Sequence, residues 1–511
     1  MSQYTAITFA PVQGFIEKSR KLRDLYGASL ILSYLSQQIV KEAEKTTKVI
    51  SPALPNVQKG MPNRILLQGE FTESQVIDAM LSAWKNLLHE CRCWIERKLP
   101  QYEYHWEREW RNWGNYTWEI FWGTGTSVTA AMQDLENRKL SRGWTAINWI
   151  GESSSLTGTD AIAWYKLGAE DRNPNNRKWR GEKNQIDDFY LDLAAVIERT
   201  GENVPEGKFL ALNERLSIPE LVKRLVTLPE IARKIGMTTL DKGFKDIYRR
   251  PEEITEQAKG RWTGWFMGDG DKVGDHLKQL SETEIINFSH AMRQWGEDFS
   301  KTFPTDLGRV IYAGGDDFLG VIYSDKDKVV IQPKSAFEWL MTLPKKWQEH
   351  GEKITLSVGF VWAGHSVPQR DVLQHCREAE KVAKSLGRNR VTIRVVFNSG
   401  QYIQWTCPWD YLDILTKYQD REGNSNWSHI YSDLAQLEAR RAFQINKETF
   451  DEKFALLFFD IYFPGEGKKF RDYNFNKHVV GFSDDDNNYE RALATIDWIS
   501  DLIKVGWQLS N

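Results

Sequence analysis

The chain has 511 residues, 41% of them hydrophobic and 13% aromatic, with 22 Trp, which is enough for three or four structural units with large cores. Its 67 basic and 70 acidic residues nearly cancel to a net charge of −3, so a nucleic-acid partner has to be met by a local patch and not by overall charge. Four cysteines make no disulfide framework, the start carries no signal-peptide pattern, and no apolar run approaches the roughly 18 residues that span a bilayer; a soluble cytoplasmic protein with no membrane partner is expected.

Tyr4–Ala10 reads as a strand, punctuated by Pro11 and Gly14. From Phe15 to about Glu44 apolar residues recur at helical intervals. Val49–Leu54 and Arg64–Gln68 read as two short strands, Glu73–Lys98 as a second helix, and Tyr116–Trp122 as a last strand. The order βαββαβ predicts a ferredoxin-like unit over residues 1–140. Residues 141–259 read as an irregular, mainly helical connector with Gly/Asn loops at Asp171–Asn176 and Gly181–Asn184.

A second mixed unit, residues 260–400, opens with the strand Trp262–Met267 and the helices Asp275–Leu280 and Ile285–Phe299. Arg309–Tyr323 reads as a hairpin, followed by a helix at Ala336–Gln348, a strand at Ile354–Trp362, a helix at Asp371–Leu386 and a strand at Val391–Phe397. This order is again ferredoxin-like, with one extra helix. Residues 401–511 read as mostly helical. The fold class expected is α+β: two ferredoxin-like palm domains, a helical connector and a C-terminal helical domain.

Two acidic clusters fall where strands end. Gly268-Asp269-Gly270-Asp271 follows an apolar strand, and Gly314-Gly315-Asp316-Asp317 sits at the hairpin tip. If the strands are neighbours, the carboxylates meet at one sheet edge, and massed acids there repel unless a cation lies between them. Two Mg²⁺ or Mn²⁺ ions about 3.5–4 Å apart take such oxygen ligands. Gly270, Gly314 and Gly315 let phosphate approach the backbone closely. Taken singly, an Asp-Gly pair is ordinary turn chemistry; two clusters with β-like flanks are not. On the helix Asp371–Leu386 the apolar face leaves Lys381 and Lys384 on the other side, where a cation in the last turn reaches a triphosphate at the sheet edge.

Asp-Gly-Asp after a strand, Gly-Gly-Asp-Asp on a hairpin, and Ala379-Glu380-Lys381-Val382-Ala383-Lys384 before Gly387-Arg388-Asn389 resemble the palm of GGDEF-type and class III nucleotide cyclases. Pro11-Val12-Gln13-Gly14-Phe15-Ile16, Ser19-Arg20-Lys21, Arg23-Asp24-Leu25 and Ala28-Ser29 resemble the first, non-catalytic palm of the large subunit of type III CRISPR effector complexes, the "Cas ten" family in its Cmr (III-B) form. The resemblance runs over nearly the whole chain. It implies an RNA-activated nucleotidyltransferase that joins ATP into cyclic oligoadenylates, with guide RNA, target RNA and the backbone, small helical and guide-end subunits as partners. Carried onto this chain, Asp269, Asp316 and Asp317, joined by Asp271, hold Mg²⁺ or Mn²⁺. Lys384 and Arg388 then steady the donor triphosphate, and Ser29 lies near the acceptor ATP.

The chain departs from the family in two places. Many members carry an HD nuclease domain before the first palm, whereas here the palm starts at residue 4 and no adjacent His-Asp pair occurs, so no DNase activity is expected. Where the connector often has a Cys-x-x-Cys zinc knuckle, this chain reads Ser154-Ser155-Leu156-Thr157-Gly158, with Ser217 further on, so no structural zinc is expected. Three other readings stay open: a free-standing cyclase, transfer of AMP to an acceptor such as S-adenosylmethionine, and a catalytically silent scaffold.

Overall fold

The computed structural model describes residues 3–510 apart from 54–61, 142, 144–146, 150, 170–178, 200–204, 241–243, 245, 248–260, 325–328, 421, 446–447 and 449–450. The described chain forms two compact units. The first comprises residues 1–246, 277–297 and 311–315, and the second comprises 247–276, 298–310 and 316–511.

In the first unit the β-like run forms β1 (Tyr4–Ala10), followed by α1 (Gln13–Glu17) and α2 (Leu22–Ala43). The single helix expected from Phe15 to Glu44 is therefore two. Asp24 causes the break, since its carboxylate accepts from the backbone N–H groups of Arg20 and Lys21, both at 2.9 Å, and so starts a new helix. Then come β2 (Lys48–Ser51), β3 (Ile65–Gln68) and α3 (Glu73–Lys98), the last opened by a Thr72/Gln75 capping box. The helix α4 (Glu107–Tyr116) takes up Tyr116, so the fourth strand, β4 (Glu119–Gly125), starts later than the aromatic run suggested. The strand order β2-β3-β1-β4, all antiparallel, is that of a ferredoxin-like sheet. One face, through Ile7, Phe9, Ile65 and Leu67, packs into a core with α2 and α3. The other face is covered by α5 (Val128–Leu140), a helix the sequence reading did not anticipate.

The connector shares the first palm's core. It holds α6 (Trp179–Glu198), α7 (Ile218–Leu225) and α8 (Pro229–Ile235), the last closed by Gly236 in the left-handed region. Gly181–Asn184, expected as a loop, lies inside α6. Burial of Ile186, Phe189, Tyr190, Leu193 and Ala194, which recur at helical spacing, outweighs the local loop signal. The Asp171–Asn176 loop lies outside the described residues. Arg224 on α7, fully buried, bonds Asp24 Oδ1 at 2.8 Å and Glu214 Oε2 at 2.6 Å, which balances the buried charges. At the Ser154–Gly158 segment, Thr157 Oγ1 donates to Glu220 Oε1 at 2.8 Å, Ser154 Oγ reaches the same oxygen at 3.1 Å, and the backbone N–H of Ser217 donates to Glu220 Oε2 at 2.7 Å.

The remaining elements are β5 (Thr263–Gly270), α9 (Val273–Leu277), α10 (Glu282–Thr302), β6 (Gly308–Ala313), β7 (Asp317–Ile322), α11 (Pro333–Gln348), β8 (Leu356–Ala363), α12 (Gln369–Ser385), β9 (Arg390–Val396) and β10 (Tyr402–Pro408). Their sheet runs β10-β9-β8-β5-β7-β6. The last four of these, β8-β5-β7-β6, repeat the ferredoxin-like order. After the crossover through α12, β9 pairs parallel to β8, and β10 then pairs antiparallel to β9. β10 adds a strand to a stretch expected to be mostly helical: Trp405, Thr406 and Cys407 are buried and pair with β9 in the sheet.

Beyond the sheet lie α13 (Ile414–Lys417), α14 (Ser428–Ala439), α15 (Lys453–Tyr462), α16 (Glu466–Lys469), α17 (Tyr473–Val480) and α18 (Asn488–Ser510). Among the described residues no helix is long and apolar enough to cross a membrane.

Candidate active site

Successive residues of β5 point to opposite faces of the sheet, and the two faces have different duties. Phe266 packs on one side among Phe299, Phe303 and Trp339, with ring centroids 6.4, 5.7 and 4.4 Å away. Met267 and Asp269 lie on the other side, which α12 covers. The approach of that helix depends on Gly359, opposite Met267 on β8, because a Cβ there would fall 2.2 Å from the carbonyl oxygen of Cys376. A helix seated this low delivers its last turn to the end of β5.

Register sets the carboxylates. Asp269 near the end of β5 is directly opposite Asp317 at the start of β7. Directly opposed residues of an antiparallel pair share a face, and like charges there repel. The turn between β6 and β7 holds Gly314 and Gly315, and Gly315 has φ of +138°, a conformation that L side chains rarely adopt. The next residue, Asp316, accepts at its backbone carbonyl from Gly270 N–H at 2.8 Å, tying the two acidic loops together. Asp316 is partly exposed and Asp317 exposed, so ligand can reach both.

Lys384, on the last turn of α12, forms ion pairs with both Asp269 and Glu380. Burial works against the Lys384 charge, but the two carboxylates outweigh it and hold its pKa above the ordinary lysine value. Burial likewise pushes the Asp269 carboxyl above the usual aspartate range, with Lys384 pulling only part of it back. Glu380, 8% exposed, is raised for the same reason. Sequence reasoning missed Glu380, though its position four residues before Lys384 was a usable signal.

The other expected residues are placed as follows. Asp271 is 6% exposed and accepts from Ser357 Oγ at 2.7 Å, Thr355 Oγ1 at 2.8 Å and Asn389 N–H at 3.0 Å. Arg388 sits in the turn after α12 with φ of 62°. Lys381 is exposed on α12. Ser29 belongs to the first unit, where it is 5% exposed on α2.

Among the described residues no three His, Cys, Asp or Glu side chains are gathered as a ready metal cage, and Asp269 spends one oxygen on Lys384. The donor set nonetheless fits a hard divalent cation. It offers carboxylate oxygens only, two of them on residues held opposite each other across a ladder, where a cation relieves the repulsion.

Two segments match known families. Residues 263–392 match the family described as "Cas10/Cmr2, second palm domain", and residues 4–90 match "CRISPR-associated protein Cmr2, N-terminal". Among solved structures, the chain is similar to one in the cryo-EM structure of a type III-B Cmr-beta complex in the apo state. That match has 12% identity and a TM-score of 0.59, over 99% of this chain and 82% of the other. It is also similar to a chain in the crystal structure of an apo Csm1-Csm4 cassette, with 13% identity and a TM-score of 0.50, over 100% of this chain and 70% of that one. At such identities the likeness is one of fold. No curated protein matches the chain.

Proposed function

Over residues 4–90 and 263–392 the chain belongs to the Cas10/Cmr2 family, and from that premise we propose that it is the nucleotidyl-transferring large subunit of a type III-B CRISPR effector complex, joining ATP into cyclic oligoadenylates when target RNA is bound. The observation that carries this reading is the end of β5, where Asp269 faces Asp317 in register and Lys384 reaches the same carboxylate.

In this reading Asp269, Asp316 and Asp317 hold Mg²⁺ or Mn²⁺. When bound, the ions supply Lewis-acid activation of a hydroxyl and charge neutralisation at the triphosphate. The chain's own groups do the rest. Gly270, Gly314 and Gly315 are buried and let the two acidic loops close on each other, the Gly270 N–H donating to Asp316 O at 2.8 Å. Lys384 exchanges its bond to Asp269 for a phosphate oxygen and keeps Glu380, so its charge stays balanced through the exchange. Arg388, at the same end of α12, steadies the triphosphate. Ser29, on α2 of the first palm, is assigned to the acceptor ATP on the family resemblance alone. The 3′-hydroxyl of the acceptor ATP attacks the α-phosphorus of the donor, the bond to pyrophosphate breaks, and the hydroxyl proton passes to solvent.

The donor half of this site serves any hydroxyl or carboxylate acceptor equally well, so the acceptor is tested separately. The protein assembled with its guide-RNA complex and target RNA is given ATP alone, and ATP with S-adenosylmethionine. Oligoadenylate products identified by mass spectrometry in both mixtures support the proposal. Consumption of S-adenosylmethionine with no oligoadenylate replaces the acceptor.

A further inference from the structure

A carboxylate buried as deeply as Asp271 persists only with partners for its oxygens. Oδ1 accepts from Ser357 Oγ at 2.7 Å, and Oδ2 accepts from Thr355 Oγ1 at 2.8 Å and from the Asn389 backbone N–H at 3.0 Å. The Asp271 N–H in turn donates to Thr355 O at 2.8 Å. Three acceptor positions of a carboxylate that offers about four are thus spent on protein donors. Asp269, by contrast, has a side chain 34% exposed, and Asp317 lies open.

The partner of Oδ2 is informative. Gly387, Arg388 and Asn389 have φ of 124°, 62° and 49°, three successive residues on the left-handed side. Gly and Asn adopt that conformation readily, but Arg388 does so only where its surroundings hold it. This turn is held by the Arg388 N–H on Ala383 O at 3.1 Å, by Trp409 N–H donating to Asn389 O at 3.3 Å, and by Asp271. Lys272, directly after Asp271, is also left-handed with φ of 55°, so the chain bends away behind the carboxylate.

Resting on the function proposed above, we infer that Asp271 is a positioning residue and not a cation ligand. It fastens the turn after α12 to the ends of β5 and β8, and through that turn it sets Arg388 and the last turn carrying Lys384. Thr355 and Ser357 are parts of the same fastening.

Asp271→Asn separates the two roles. An amide keeps an oxygen for the Asn389 N–H and presents its NH₂ to Ser357 Oγ, so it restores the fastening while removing the charge. Asp271→Ala, Asp271→Asn, Asp269→Asn and the double variant Thr355→Val/Ser357→Ala are compared in the assembled complex. Three quantities are read: Mn²⁺ binding by electron paramagnetic resonance, amide hydrogen exchange at residues 386–390, and KM for ATP. Asp271→Asn is expected to bind Mn²⁺ and exchange as the unaltered protein does. Asp269→Asn is expected to lose Mn²⁺ affinity about tenfold or more. Asp271→Ala and the double variant are expected to speed exchange in the turn and raise KM with Mn²⁺ binding retained. If Asp271→Asn loses Mn²⁺ as Asp269→Asn does, or if exchange in the turn is unchanged in the double variant, the inference is overturned. If the unaltered protein binds no Mn²⁺, the proposed metal centre fails instead, and the exchange measurement still decides what Asp271 fastens.

Discussion

Lys384 is shared between Asp269 and Glu380, so a triphosphate arriving at the end of β5 competes with one carboxylate while the other stays in place. Lys384→Met removes a charge-assisted bond worth about 1.5–3 kcal/mol, which corresponds to roughly a 10–100-fold rise in KM for ATP. Lys384→Arg should recover part of the loss. Steady-state kinetics check this; a fall in kcat at unchanged KM would place Lys384 elsewhere in the reaction. The residues of this site were legible in the sequence to different degrees. Asp269, Asp316 and Asp317 stood out because acids rarely follow apolar strands without a purpose. The hydroxyl partners of Asp271 did not, because Thr355 and Ser357 are 84 and 86 residues away and only the pairing of β5 with β8 brings them near.

Among the elements, α12 was legible to within two residues, since apolar residues recur at helical spacing over Val372, Cys376, Ala379 and Ala383, while β5 runs three residues beyond the expected Met267, to Gly270, and takes in Asp269. α5 was not, because its apolar stripe is thin, with only Ala131 and Leu135 buried. β10 was passed over because it shows no alternation to read: Tyr402 is exposed, Ile403 and Gln404 are half-buried, and Trp405 to Pro408 are all buried. The last helix, α18, carries a titration of its own. Burial, reinforced by Asp497 and Glu438 and opposed by Lys504, pushes the Asp501 carboxyl up to about 7. A carboxyl raised on folding favours the folded state fully below pH ~4, and that contribution drains away as pH rises and is gone once pH passes the folded-state value. Asp501→Asn should therefore raise the thermal midpoint more at pH 8 than at pH 5. Equal shifts at both pH values would show that the carboxyl titrates normally.

At the level of the whole molecule, the repeated βαββαβ order predicted two ferredoxin-like sheets, and the strand orders β2-β3-β1-β4 and β8-β5-β7-β6 bear that out. The connector was less legible. Its placement depends on contacts such as that between Arg224 and Asp24, 200 residues apart in sequence, which no local pattern records. Among the described residues, only the second sheet presents directly opposed carboxylates at a strand end, and the chemistry is assigned to it. The most direct test of that assignment is pyrophosphate release from ATP by the protein assembled with guide RNA, with and without matching target RNA, beside an Asp316→Ala/Asp317→Ala variant of equal assembly. Release that requires target RNA and is lost in the variant is the predicted result. Release that persists in the variant, or no release from the unaltered protein in an intact assembly, would contradict it.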